Sequence, residues 1–210
     1  MKKIFITGLA LLMLPLATYS QTLDNIDEIA PFSEGLAAVR KNDKWAFIDK
    51  EGTIVINFRD DIYWNGDADS TKEGISGIRY PMFKDGRCIV KKIVEDNVPV
   101  YGFMDTKGDI VIEPQFLNVF PFKDGYTTGV VFEKTLKGQN EFNLNIYEFK
   151  FHDVLMDTSG EIEEFFQRRY NIQMTSRRYS IPMIGVKRLA DGLVAIHSND
   201  QGWSIRKLTL

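Results

Sequence analysis

Few residues in this chain have the types and spacing that could do chemistry. His152 and His197 are the only histidines, and His152 stands beside Asp153. A catalytic pair or a metal site needs further ligands at a diagnostic spacing such as His-Glu-x-x-His, and none is present. His197 ends the apolar run Leu193 to Ile196, where a structural rim position suffices. Asn65, Asp67 and Asp69 set three oxygen-bearing side chains at alternating positions, as a calcium loop does. They lack the later Gly and distal Glu of an EF-hand and read as a solvated loop. Asp49, Asp105 and Asp157 each precede a Gly by three residues. That shared place predicts a turn role instead of paired-carboxylate catalysis. The single cysteine, Cys88, lies in the apolar run Arg87-Cys88-Ile89-Val90. It has no intramolecular disulfide partner and reads as a buried, inert thiol. Arg168-Arg169 and Arg177-Arg178 form a local basic cluster, read as a solvated face with an anionic partner as the weaker alternative. No nucleophile elbow, Walker loop or dinucleotide-binding glycine run occurs. On these grounds the chain is read as not an enzyme. No catalytic, cofactor-binding or metal-binding residue is assigned, no cofactor is expected, and the binding residues are left open.

The elements that would position such residues come in repeats. One motif occurs four times: Phe32-Ser33-Glu34-Gly35-Leu36, Phe83-Lys84-Asp85-Gly86-Arg87, Phe122-Lys123-Asp124-Gly125-Tyr126 and Leu189-Ala190-Asp191-Gly192-Leu193. In each, an acid precedes a Gly able to take positive φ, and a β-rich run follows. A second motif follows the first three copies: Trp45 to Gly52, Tyr101 to Gly108, and the weaker Leu155 to Gly160. Here Asp opens a four-residue turn and Gly closes it, as in a bulged hairpin. Each unit therefore reads as strand, connection, strand, Asp-x-x-Gly turn, strand, and repetition at this level marks an array. In the third unit the insert Phe132 to Phe151 extends the hairpin beyond a Lys137-Gly138-Gln139-Asn140 turn. Trp45, Tyr101 and Trp203 occupy matching places, as core between units or, if exposed, as a platform for sugars or a peptide. Residues 161–172 place Ile162, Phe165, Phe166 and Tyr170 at helical spacing, with acids first and arginines last, and predict one short helix, with a strand in the repeat register as the alternative.

These motifs resemble the WG-repeat family of bacterial proteins. Its units carry a Phe-x-(Glu/Asp)-Gly-Leu-Ala-x-Val turn and strand, then a Trp-Gly-(Tyr/Phe)-Ile-Asp-x-x-Gly hairpin. Phe32 to Gly52 matches best and Phe83 to Gly108 next. Trp45-Ala46, Tyr101-Gly102, Asp153-Val154 and Trp203-Ser204 stand where the naming dipeptide belongs. The resemblance implies an all-β repeat array and no shared chemistry.

The expectation is an all-β repeat array of antiparallel hairpins, first as an elongated twisted stack and second as a propeller-like ring. Units fall at about 29–70, 80–118, 119–172 and 185–210 within one domain, 21–210. Residues 1–20 read as a signal peptide: Lys2-Lys3, then an apolar run too short to span a bilayer, then small residues before a cut after Ser20. The product is thus expected to be exported, to the periplasm, the cell surface or the medium of a bacterium, without a membrane span after cleavage. Its overall composition, 44% hydrophobic and 26% charged, excludes disorder and collagen-like repeats. Cleavage would take the net charge from −3 to −5, which disfavours nucleic acid. The functional expectation is a non-enzymatic binding or structural module with a protein or glycan partner. The alternative is a hydrolase-like enzyme with a site assembled from different repeats. Self-association through edge strands is a further expectation.

Overall fold

A computed structural model describes residues 23–94, 97–170, 172–198 and 200–209. The signal-peptide reading of 1–20 lies outside the described residues. Among the described residues thirteen strands form three antiparallel sheets, none closed into a barrel. The first sheet runs in order β1 (Glu28–Ile29), β2 (Ala37–Lys41), β3 (Lys44–Ile48), β4 (Ile54–Arg59). The second joins β5 (Cys88–Ile93), β6 (Pro99–Met104), β7 (Ile110–Val119), β8 (Tyr126–Gln139), β9 (Asn145–Asp157) and β10 (Ile162–Arg169). The third holds β11 (Val186–Ala190), β12 (Leu193–Ser198) and β13 (Gly202–Lys207).

Register shows that the four units are the same object. Ala38 pairs with Phe47, Ile89 with Phe103, Thr128 with Leu155 and Ala195 with Ile205. Trp45, Tyr101, Asp153 and Trp203 consequently share one place, two residues earlier on the second strand of each unit. Units two and three are not separate hairpins, because β7 pairs with β6 through its first half and with β8 through its second. A bulge makes this possible: two residues of β6, Tyr101 and Phe103, face Phe116 and Ile112, which are four apart. The bulged backbone comes so close that a Cβ at Gly102 would sit 2.3 Å from the Ile112 carbonyl oxygen. In the first unit Trp45 and Phe47 face Arg59 and Ile56, a smaller bulge, and Ala46 fits.

The first three first-motif turns carry positive φ at both central residues, not at Gly alone, whereas the fourth does so only at Gly192, with φ of 63°. Glu34 and Gly35 have φ of 53° and 83°, Asp85 and Gly86 50° and 69°, Asp124 and Gly125 51° and 84°. With reciprocal bonds from Ser33 to Leu36, Lys84 to Arg87 and Lys123 to Tyr126, these are type I′ turns, whose twist matches the strands they join. In the second motif the Asp carboxylate accepts two backbone N–H groups: Glu51 and Thr53 at Asp49, Lys107 and Asp109 at Asp105, Ser159 and Glu161 at Asp157.

Two expectations are corrected. The described residues of 161–172 form no helix. Ile162 to Arg169 is a strand paired with β9, and its irregularities between Phe165 and Arg168 imitate helical spacing by shifting the side-chain alternation. The long hairpin turns at Asn140 to Asn143, not at Lys137 to Asn140. Asn140 accepts N–H bonds from Phe142 and Leu144, and Asn143 takes φ of 60°, reproducing the Asp-x-x-Gly turn with two asparagines.

Consecutive units pack through three recurring contacts. The turn acid of one unit accepts N–H bonds from the next turn: Glu34 takes Asp85 at 2.7 Å and Gly86 at 2.8 Å, and Asp85 takes Gly125 at 2.6 Å. The motif Phe fills against the preceding unit, Phe83 on Phe47 and Phe122 on Phe103, both at 4.7 Å between ring centres. An Ile of the third strand lies under the next turn glycine, Ile56 under Gly108 and Ile112 under Gly160. These contacts build two aromatic-rich cores. A third core covers Val98, Val100, Leu117 and Phe151 with Ile172, Met174 and Tyr179 from the segment outside the repeats.

Candidate functional site

The fourth unit does not dock as the others do. Leu189 holds the place of Phe83 and Phe122 but is 51% exposed, where those are 0% and 2%. Arg188 on β11 intercepts the turn acid Asp124, donating to its Oδ2 at 3.1 Å and to the Lys123 carbonyl at 3.0 Å. At the place of Ile56 and Ile112 the third unit carries Glu164, which accepts a bond from Arg206 of β13 at 2.7 Å. Amide and apolar contacts are thus exchanged for ion pairs, and a cleft of about 260 Å³ opens between the units.

Its chemistry is mixed. Phe120, Pro121 and Leu189 give apolar wall, while Lys123, Lys187 and Arg188 bring three cations against Glu73 and Asp124. The Arg188 guanidinium lies 5.3 Å over the Tyr126 ring, and its buried Nε has no acceptor among the described residues. Lys187 pairs with Glu73 and stands 4.6 Å from the Trp203 ring centre. The base of the fourth unit is fixed: the Thr128 hydroxyl donates to the Val186 carbonyl at 2.9 Å, and Val186 is fully buried. Such a site can take up a small anionic or amphipathic group, with cations to pair a charge and an apolar wall for a stem.

The residues singled out from sequence do not converge on it. His152 lies edge-on to Phe165 at 5.6 Å on the second sheet, and His197 edge-on to Trp203 at 5.1 Å on the third. Asp153 faces away from His152 and is fully buried. It takes Arg169 Nε at 2.5 Å, Arg169 Nη2 at 3.1 Å and the Gly185 N–H at 2.8 Å. The basic cluster is thereby divided, since Arg169 serves this pair while Arg168 reaches Glu148 at 3.6 Å. Asn65 and Asp69 accept local loop bonds from Asp67 and Thr71. Among the described residues no group of three or more His, Cys, Asp or Glu side chains is placed to hold a metal ion. Cys88 is buried, and burial pushes its thiol up to about 12. Trp45 and Tyr101 are core, 1% and 3% exposed, whereas Trp203 is 45% exposed. No helix among the described residues is long and apolar enough to cross a membrane. Sequence reading missed Arg188 and Lys187, whose signal was the loss of Phe from the fourth motif.

Comparison with known proteins gives one finding. The model of the family described as WG containing repeat matches residues 25–45 and 101–128, about a quarter of the chain. The first match ends at Trp45, and the second runs from Tyr101 through the third unit's turn. No curated protein and no solved structure matches the chain.

Proposed function

We propose, from the premise that this chain carries WG repeats at residues 25–45 and 101–128, that it is an exported, non-enzymatic binding module. It takes a protein partner in the cleft between its third and fourth units, through a carboxylate-bearing side chain of an extended segment. The observation that carries this reading is the change of joint chemistry. Two joints are closed by aromatic rings and turn amides, and the third is open, cationic and lined by Leu189. The Lys2-Lys3 start, the apolar run and the small residues before Ser20 support export. The separate sheets occupied by His152 and His197 favour binding over a hydrolytic site built from different repeats.

The test is site-specific crosslinking in the native envelope from a photoreactive residue at position 189. The expected result is capture of a protein, lost on Arg188→Gln while the fold persists by circular dichroism. Capture of glycan only, or capture indifferent to Arg188→Gln, refutes the proposed occupant. A hydrolytic activity abolished by His152→Ala or His197→Ala would overturn the non-enzymatic reading.

A further inference from the structure

The recurring joint leaves matching halves unused at the two ends of the array. The first unit has the receiving half. In the second and third units that half consists of the motif Phe, the turn N–H groups and the second turn glycine, and each is covered by the unit before. Phe32 is 53% exposed, against 0% and 2% for Phe83 and Phe122. Nothing among the described residues accepts from the N–H groups of Glu34 and Gly35, whereas Gly86 and Gly125 donate to Glu34 and Asp85. Gly52 has open space where Gly108 and Gly160 meet Ile56 and Ile112 at 3.2 Å. Ile29, three residues earlier in the chain, is a further exposed apolar side chain at 66%.

The fourth unit has the donating half. Register puts Ile205 where Phe47 and Phe103 stand, opposite Ala195 as those stand opposite Ala38 and Ile89. Phe47 and Phe103 are fully buried beneath the next unit's Phe, and Ile205 is 69% exposed. Asp191 holds the sequence place of Glu34 and Asp85; its side chain is 93% exposed and meets Arg188 Nη2 of its own unit at 3.4 Å, a pair that a stronger acceptor role would replace. Terminal units of repeat arrays normally carry a polar outer face, which keeps the array from continuing. Among the described residues, the end units instead present Phe32 and Ile205 as exposed apolar side chains.

We propose that a second copy of this chain docks head to tail, the fourth unit of one copy on the first unit of the next. Ile205 covers Phe32, and the Asp191 carboxylate accepts from the Glu34–Gly35 turn, continuing the joint already made twice within the chain. The contact is heterologous, each copy keeping one free half, so association propagates instead of stopping at a symmetric dimer. The joint argued here rests on Ile205 and Asp191 alone, so it is weaker than the internal ones and concentration-dependent.

The experiment is sedimentation velocity over a wide concentration range, on protein produced with its own leader and purified from the exporting cell. The expected result is a mass that rises with concentration through several oligomers. Phe32→Asp and Ile205→Asp each weaken association at least tenfold. Mixing the two variants yields a discrete one-to-one dimer, since one intact half remains on each, and its appearance shows that both variants fold. A monomer throughout overturns the proposal. So do single variants that assemble like the parent, which would place the contact elsewhere, for example along the free edge of β13, and so does a mixture that fails to pair.

Discussion

Alanine at the three second-motif glycines separates backbone strain from packing between units. Gly52, Gly108 and Gly160 have φ of 81°, 90° and 92°, so each substitution forces a Cβ into left-handed backbone. That part costs about 1–2 kcal/mol and is common to all three. The surroundings differ. At Gly52 the new methyl meets nothing within 4 Å; at Gly108 it sits 3.2 Å from Ile56 Cγ2, and at Gly160 3.2 Å from Ile112 Cγ1. Both isoleucines are buried, at 4% and 3% exposure, and a β-branched side chain holds one χ1 rotamer. They therefore yield by displacing the preceding unit, and one surplus methyl in such a core costs about 1 kcal/mol, the low end of overpacking. Gly52→Ala should thus lose about 1–2 kcal/mol, and Gly108→Ala and Gly160→Ala about 2–3 kcal/mol each. Urea unfolding followed by tryptophan fluorescence and circular dichroism measures this, provided both probes give one transition with unchanged slope. Equal losses at all three positions would refute the reasoning, because backbone strain alone would then explain them.

Four further outcomes test other parts of the structure. Phe83→Ala should cost about 3–5 kcal/mol and Phe32→Ala less than about 0.5 kcal/mol in the same assay, since only the former is buried. Asp153→Ala leaves Arg169 without its bidentate partner in a buried site and should cost about 3–5 kcal/mol, with a smaller loss in the double variant Asp153→Ala, Arg169→Met. Cys88, its thiol pushed up to about 12 by burial, should resist alkylation at pH 8 in the folded protein and react fully in urea; comparable native labelling would contradict its burial. Slight burial of Asp157 opposes ionisation, but bonds from the Ser159 hydroxyl and from the N–H groups of Glu161, Ser159 and Gly160 outweigh it and lower the carboxyl below its ordinary 3.8. A depressed folded pKa stabilises above the unfolded value and is lost as pH falls through the folded one. The urea midpoint should therefore drop below about pH 4, and less so in Asp157→Asn.

Turn chemistry was legible because it is local. An acid before Gly and an Asp three before Gly dictate backbone conformation within four residues, and the strands between them follow. Repetition marks Phe83 and Trp45 as matching places but not their burial, since Phe32, Leu189 and Trp203 hold the same places in other units and are exposed. What could not be read depends on distant partners. That Glu34 spans to Asp85 and Gly86 is a property of two turns fifty residues apart, invisible in either alone. Strand β10 carries helix-like apolar spacing because its register shifts at Ile162–Glu164 and Phe165–Arg168 each skip a residue. The hairpin tip is not legible from its glycine, because Gly138 sits at a bulge inside β8 and Asn143 supplies the left-handed residue.

The open joint follows from where the fourth unit is anchored. Its base is held by buried contacts: Val186 fully buried and bonded to Thr128, and Gly185 bonded to Asp153 so closely that a Cβ there would meet Arg169 Nη2 at 2.4 Å. Its far end is held by Arg188 to Asp124 and Arg206 to Glu164, whose acids are 67% and 39% exposed. Exposed pairs contribute about 0–1 kcal/mol and are screened by salt, whereas a buried ring such as Phe83 contributes several times more. Burial along β11 falls in the same direction, from Val186 at the base to Leu189 and Ala190 exposed at the tip. The unit is therefore a wedge, closed where hydrogen bonds are buried and open where ion pairs replace an aromatic ring. A group entering at the tip, as the proposed binding requires, would displace screened charges and solvent instead of core, leaving the supporting array folded.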